Sequence, residues 1–296
     1  MKLPPAKLAR ANILMRNGVV YISASSFNEM VTCPMRSYYS KVKRYYVPGE
    51  KIAALEFGIT IHRIMEVYAH TGEVMDFQDL WRPYSDITMS YSKSEQNWDN
   101  LNNLGQRIVW EMVGTLDMMG YNGPYTYKKN GKVEQTIEVQ APYKVNDKLV
   151  LMRTIDLIGD CGGIPTVIDF KTSSRMYSVG LQDDISPQLS AYSLPHNLKG
   201  VPQPEQAMFL VGTKTKTPKA AAFPTVRSKA RLKMFLDDLE NVARMIRLGI
   251  YYRNRDTIAC GSSTNPRCDY RPLCYTGETK EVIELYEQND TEYAPG

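Results

Sequence analysis

The sequence predicts an α/β protein in which a helical part precedes a strand-rich core. Three observations carry the prediction. Residues 23–122 place apolar side chains at helical spacing, short β-branched runs bounded by Gly, Pro, Asn or Asp follow, and residues 227–250 return to a long amphipathic helix. Helices, a strand group, a helix, a strand and a helix in that order make a mixed layer, not a regular βαβ series.

The first residues, "MKLPPAKLARANILMRNGVV", contain no acid, and their apolar stretch is too short and broken for a secretory signal. Two prolines argue against the amphipathic helix of a transit peptide, so residues 1–22 read as a flexible basic arm. No apolar run approaches the ~18 residues that span a bilayer, which points to a cytoplasmic chain (host cytoplasm if the source is viral) without membrane partners. "SASSFNEMV" offers serine caps for a helix, and Pro34 suits a first helical position in "CPMRSYYSKVKRYY". Residues 51–71 set Leu55, Ile59, Ile61, Ile64, Met65 and Tyr68 at helical spacing; residues 76–120 read as mostly helical, with Gly120 as the stop. "TIEVQAPYKV", "LVLMRTIDLIGD", "IPTVIDFKT" and "QAMFLVGTK" read as strands. Before the last of these, Ser186 and Pro187 open a short helix.

The chemistry concentrates where "PTVIDFKTSS" ends a buried strand in two opposite charges. Alternation puts Val167, Asp169 and Lys171 on one face and Ile168 and Phe170 on the other. The preceding Gly162-Gly163 suits a two-residue type I′ or II′ turn, which pairs Cys161 with Ile164 and, counting outward, Asp156 with Asp169. A three-residue loop shifts this register by one. Opposed carboxylates repel, and a divalent cation between them relieves that, since Mg²⁺ is commonly held by one or two carboxylates with waters and substrate phosphate. Lys171 could then stabilise an oxyanion or help deprotonate a water. A surface ion pair between Asp169 and Lys171 is the plain alternative.

Two i, i+4 pairs stand on helices: His62 with Glu66, and Gln188 with Tyr192. Read alone, His62 is equally a core histidine, and Gln188 and Tyr192 are helix packing. The net charge of +4 is unevenly spread. From Lys214 to Lys233 there are seven basic residues and no acid, including Lys214, Lys216 and Lys219, while the chain after Cys274 is acidic. A solvated face explains either run; a basic strip also suits a polyanion such as DNA. Five cysteines are too few for a disulfide scaffold in 296 residues. Three of them, Cys260, Cys268 and Cys274, crowd together, and Cys161 reads as an ordinary half-buried thiol.

Asp156 followed by "IDFKTS" resembles the PD-(D/E)XK nuclease superfamily, and its RecB-like branch in particular. Four further marks of that branch have counterparts here: Gly58, His62 and Glu66; Gln188 and Tyr192; "CPMRSYY"; and "CDYRPLC". The chain also resembles the iron–sulfur nucleases of CRISPR adaptation and related phage-encoded enzymes. The likeness spans roughly residues 23–275, and the order of the marks makes it specific. It implies a restriction-endonuclease-like core, a mixed central sheet with a β-hairpin active site flanked by helices, with an N-terminal helical part and a C-terminal Fe–S clamp. The implied division is a basic arm 1–22, a nuclease domain 23–275 (helical 23–122, core 123–250, clamp Cys33 with 260–274) and an acidic tail 276–296.

The resemblance further implies that His62, Asp156, Asp169 and the Phe170 carbonyl bind Mg²⁺ or Mn²⁺ for attack of water on a phosphodiester. Lys171 is then the catalytic cation, Gln188 and Tyr192 support the site, and Glu66 lies behind it. Cys33, Cys260, Cys268 and Cys274 would hold a 4Fe–4S cluster, or structural Zn²⁺ in the alternative. The Cys-x7-Cys-x5-Cys spacing departs from the commoner Cys-x2-Cys-x5-Cys, which bears most on Cys260. DNA ends, single-stranded or frayed, are the expected substrate of an exonuclease, with recombination or replication proteins as candidate partners. Arg36, Lys41, Lys43, Arg44, Lys214, Lys216 and Lys219 would track phosphates, and Tyr38, Tyr39, Tyr45 and Tyr46 would stack on bases or pack the core. A DNA-end-binding module that keeps the fold without catalysis is the rival reading.

Overall fold

Six strands build one mixed sheet in the computed structural model, which describes residues 13–91, 96–178, 186–255, 260–261 and 268–288. They are β1 Tyr121–Pro124, β2 Ile137–Gln140, β3 Thr154–Cys161, β4 Ile164–Ser173, β5 Gln206–Thr213 and β6 Ala220–Thr225. Their spatial order is β6-β5-β4-β3-β1, with β2 also on β3; β4 and β5 run parallel and the other pairs antiparallel. The sheet belongs to a compact unit of Glu50–Ala141 and Thr154–Ser228. A second unit gathers Met1–Gly49, Pro142–Arg153 and Lys229–Gly296.

The hairpin register is the one that two glycines dictate. Gly162 and Gly163 take φ of 63° and 85°, the pair of left-handed values a type I′ turn needs. Cys161 pairs with Ile164 and Leu157 with Ile168. Helices α1 Ala53–Thr71, α2 Phe77–Trp81 and α3 Trp98–Met118 cover one face of the sheet. Phe57, Ile61, Ile64 and Met65 of α1 and Ile108, Met112 and Leu116 of α3 bury against Leu157, Ile168, Phe170, Met208 and Leu210. Each such large side chain stabilises the fold by about 1.5–3 kcal/mol. The opposite face carries Asp169 and Lys171, and α4 Pro187–Tyr192 packs near it, capped by Ser186 Oγ accepting from the Leu189 N–H.

The approach of α3 to β5 depends on one glycine. A Cβ on Gly212 would lie 2.5 Å from Ile108 Cγ2 and 2.9 Å from Met112 Sδ. Gly212→Ala is therefore expected to lower stability by about 1–3 kcal/mol in urea unfolding, as overpacking of a tight core does. An unchanged midpoint would mean that α3 yields freely.

Several elements differ from the sequence expectation. "LVLMRTIDLIGD" is two strands, not one. Leu149–Met152 joins a four-stranded sheet of the second unit, parallel to Val19–Ser23 and antiparallel to Tyr143–Asn146, while β3 begins at Thr154. Between them, Arg153 is buried with its guanidinium 5.6 Å from the Tyr143 ring. "TIEVQAPYKV" divides likewise before Pro142, which cannot donate to a ladder. Leu14–Arg16 and Val19–Ser23 form a hairpin through Asn17-Gly18, with φ of 52° and 73°. The first twelve residues of the expected arm lie outside the described residues, as does the end of the acidic tail after Gln288. β6 lies inside the basic run from Lys214 to Lys233. No helix among the described residues is long and apolar enough to cross a membrane.

Candidate active site

Asp156 and Asp169 stand just beyond the point where the β3–β4 ladder ends, and the charge of Asp169 acts on Asp156. The regular pairing stops at Leu157 and Ile168, one position short of the two aspartates. Instead, Asp156 Oδ2 accepts the Phe170 backbone N–H at 3.2 Å. The opening also admits α1: His62 Nδ1 stands 3.3 Å from Asp156 Oδ2, and its ring meets Phe170 edge-on with centroids 6.0 Å apart. His62 and Asp156 thus touch although one rises from the helix-covered side and the other belongs to the opposite face.

Asp169 is 1% exposed. Its Oδ1 accepts from Gln188 Nε2 at 2.5 Å, and its Oδ2 contacts Lys171 Nζ. That Oδ2 contact is one of charge, since the atom has no hydrogen bond of ordinary geometry. Gln188 Nε2 lies 3.0 Å from the Tyr192 hydroxyl, which donates to the Thr154 carbonyl at 2.9 Å. The i, i+4 pair on α4 is therefore a brace from the start of β3 to the carboxylate of β4.

The electrostatics follow from two carboxylates in a poorly hydrated place. Burial, and then the charge of Asp169, raise the Asp156 pKa to about 8. Burial depresses His62, and Asp169 only partly opposes it, so the imidazole favours its neutral, ligating form. Burial also works against the Lys171 ammonium, but Asp169 and Asp156 outweigh it and its pKa is raised. Lys171 consequently remains a cation near neutral pH, which suits charge stabilisation and not proton abstraction.

Among the described residues, no group of three or more His, Cys, Asp or Glu side chains is arranged as a metal cage. The donor chemistry nevertheless fits a hard divalent cation: two neighbouring carboxylates, one with its pKa raised by burial and by the charge of the other, beside an imidazole whose charged form burial disfavours. Mg²⁺ commonly takes only one or two protein carboxylates, with water and phosphate completing the shell. Glu66 instead pairs with Arg63 at 3.1 Å.

Cys33, Cys260, Cys268 and Cys274 line one cavity of about 300 Å³ in the second unit, together with Arg36, Arg253, Arg255 and Arg271. All are free thiols, and burial raises the pKa of Cys268 and Cys274. Most of the "GSSTNPR" gap lies outside the described residues. Cys161 is fully buried in the core rather than half-buried, its pKa pushed up to about 11 by burial.

The expected DNA contacts are less uniform. Arg36 and Lys41 both pair with Glu29, at 3.4 and 3.6 Å, and Lys43 pairs with Glu278 at 3.4 Å. Arg44 adopts φ of 60°. Lys214 is half-buried with its ammonium 5.9 Å from the Phe57 ring and its pKa lowered by burial, while Lys216 and Lys219 are exposed. Tyr39 and Tyr45 form an aromatic core with Tyr270 and Tyr286, so packing is their structural role; Tyr46 is exposed and bonds Glu287. The sequence gives no prominence to Phe209, whose ring lies near the Lys171 ammonium, or to Tyr177, whose ring packs on Phe209. Phe209 could have been found from strand alignment; Tyr177 carries no local signal.

The family model of the PD-(D/E)XK nuclease superfamily matches residues 21–275. The chain belongs to that superfamily. Among solved structures it resembles "Putative exonuclease" from Eubacterium rectale, with a TM-score of 0.50 at 10% identity over 87% of this chain and 91% of the other. At that identity the likeness is one of fold. No curated protein matches the chain. As a superfamily member it is a nuclease by family, with a mixed sheet whose opened hairpin carries the aspartates.

Proposed function

We propose that the chain is a Mg²⁺- or Mn²⁺-dependent deoxyribonuclease that acts on DNA ends. The neighbouring Asp156 and Asp169 at the ladder opening, with His62 and Lys171 beside them, carry this reading. His62, Asp156 and Asp169 would hold the metal, with the Phe170 carbonyl as a further donor. When bound, the cation supplies Lewis-acid activation of water and neutralises charge developing on the phosphodiester. Gln188 and Tyr192 hold Asp169 in place, and Gln188 restricts its rotation through Oδ1. The Lys171 ammonium stabilises negative charge on the phosphoryl oxygens. Lys214, Lys216 and Lys219, with Arg36, Lys41, Lys43 and Arg44, are proposed to follow the phosphate backbone, so binding weakens as salt rises.

End-labelled linear DNA and a covalently closed circle test the end requirement. With Mn²⁺, the linear DNA is expected to lose label steadily while the circle survives. Equal loss of both overturns the exonuclease reading but not the nuclease one.

The four thiols are proposed to hold a 4Fe–4S cluster. Support comes from their shared cavity and the four arginines around it, since four thiolates on such a cluster leave net negative charge for guanidinium groups to balance. Anaerobically purified protein is expected to be brown with absorbance near ~400 nm, and Cys268→Ser to lose most of that absorbance. Colourless protein with stoichiometric zinc would favour the Zn²⁺ alternative instead.

A further inference from the structure

Register places three residues level across the catalytic face. Asp169 lies opposite Phe209 on β5, and Phe209 opposite Phe223 on β6. Residues level on neighbouring strands project to the same side, so the carboxylate continues into a row of two aromatic rings. Phe209 and Phe223 are 3% and 6% exposed, which makes them the floor of that row. Lys171 Nζ stands 5.6 Å from the Phe209 ring centroid.

Tyr177, four residues beyond the end of β4, lies on the same floor. Its ring meets Phe209 edge-on, with centroids 5.9 Å apart at 86°, and lies 6.0 Å from Phe223 at 43°. One phenylalanine thus carries the Lys171 ammonium and the Tyr177 ring together. Burial raises the phenol pKa, with Lys171 opposing the rise and Asp169 adding to it. Among the described residues that hydroxyl has no hydrogen-bond partner. Packing on two phenylalanines asks only for a ring, and a third phenylalanine would supply it. The hydroxyl is the chemistry left over.

We propose that the Tyr177 hydroxyl contacts substrate, donating a hydrogen bond to a non-bridging oxygen of the phosphodiester held beside Lys171. This deepens the nuclease reading and rests on it. A neutral donor beside a cation is how developing phosphoryl charge is shared between a hydrogen bond and an ammonium. The contact adds to transition-state binding more than to ground-state affinity, because the oxygen gains charge as the reaction proceeds.

Tyr177→Phe removes the hydroxyl and keeps the ring on Phe209 and Phe223. With Mn²⁺ and end-labelled DNA, its kcat is expected to fall roughly 10–100-fold. KM should hold within about twofold, since ground-state binding is little changed. The melting temperature should stay within about 2 °C of wild type, because the removed group has no hydrogen-bond partner among the described residues. Sulfur in place of one non-bridging oxygen at the scissile position reads the contact directly. It should slow wild type in one stereoisomer and slow Tyr177→Phe markedly less. A variant that cuts at the wild-type rate, shows the full sulfur effect, or loses activity in step with its melting temperature overturns the proposal alone. If wild type is no faster than Asp169→Ala, both the proposal and the nuclease reading fall.

Discussion

Asp169→Ala is expected to cut labelled DNA at least ~10³-fold more slowly than wild type with Mn²⁺, a loss of about 4 kcal/mol in transition-state stabilisation. The magnitude follows from how many functions converge on one carboxylate. Asp169 stands one position beyond the last β3–β4 pair, acts by its charge on Asp156, contacts the Lys171 ammonium and receives Gln188. Truncation removes a proposed metal donor and leaves the ammonium in a half-buried place without its nearest partner, which also costs stability. Asp169→Asn separates these effects. It keeps the shape and an oxygen for Gln188, so its melting temperature should lie closer to wild type, yet it lacks the charge that both Lys171 and a cation need. Rates near the Ala variant, with a fold near wild type, are the expected outcome. Activity of Asp169→Asn within tenfold of wild type, on the order of 1.4 kcal/mol, would exclude Asp169 as a metal donor.

That the hairpin register beneath the candidate site is legible in the sequence has a local cause. Gly162-Gly163 admits few turns, and one turn fixes every pair outward to Leu157 and Ile168. The i, i+4 spacings of His62/Glu66 and Gln188/Tyr192 likewise give faces without tertiary knowledge. Faces, however, do not name partners. His62 meets Asp156, while Glu66, on the same face, meets Arg63. Periodicity also cannot show that one apolar run serves two sheets, as Leu149–Met152 and Thr154–Cys161 do. The change happens at Arg153, a residue that strand patterns would place in solvent and that is buried here over Tyr143. The place of Tyr177 is illegible for a related reason: its ring packs on β5 and β6, more than thirty residues further along the chain.

Asp156→Asn is expected to abolish cleavage and, in the presence of a chelator, to stabilise the protein at alkaline pH. An ordinary aspartate titrates near ~3.9 in the unfolded chain, whereas in the fold Asp156 is raised to about 8 by burial and by Asp169. Between those values the folded chain binds more protons than the unfolded one, so stability falls as pH rises through that window. Above it, the wild-type fold carries the whole penalty of a second charged carboxylate. Asparagine carries none at any pH, and its oxygen can still accept the Phe170 N–H. In chelator at pH ~9 the variant should therefore melt several degrees higher, corresponding to a few kcal/mol. The gap should narrow steadily as pH falls toward ~5, where wild-type Asp156 is mostly protonated. Mn²⁺ should reverse the order at alkaline pH by stabilising wild type and leaving the variant nearly unmoved, since a ligand raises stability only where the fold binds it. A gap that ignores pH would show that the two carboxylates do not repel. A variant that Mn²⁺ stabilises as strongly as wild type would show that Asp156 does not hold the ion. The predicted loss of stability at alkaline pH is thus the thermodynamic mark of a site built for a cation: the charges that weaken the empty fold are those that bind the metal.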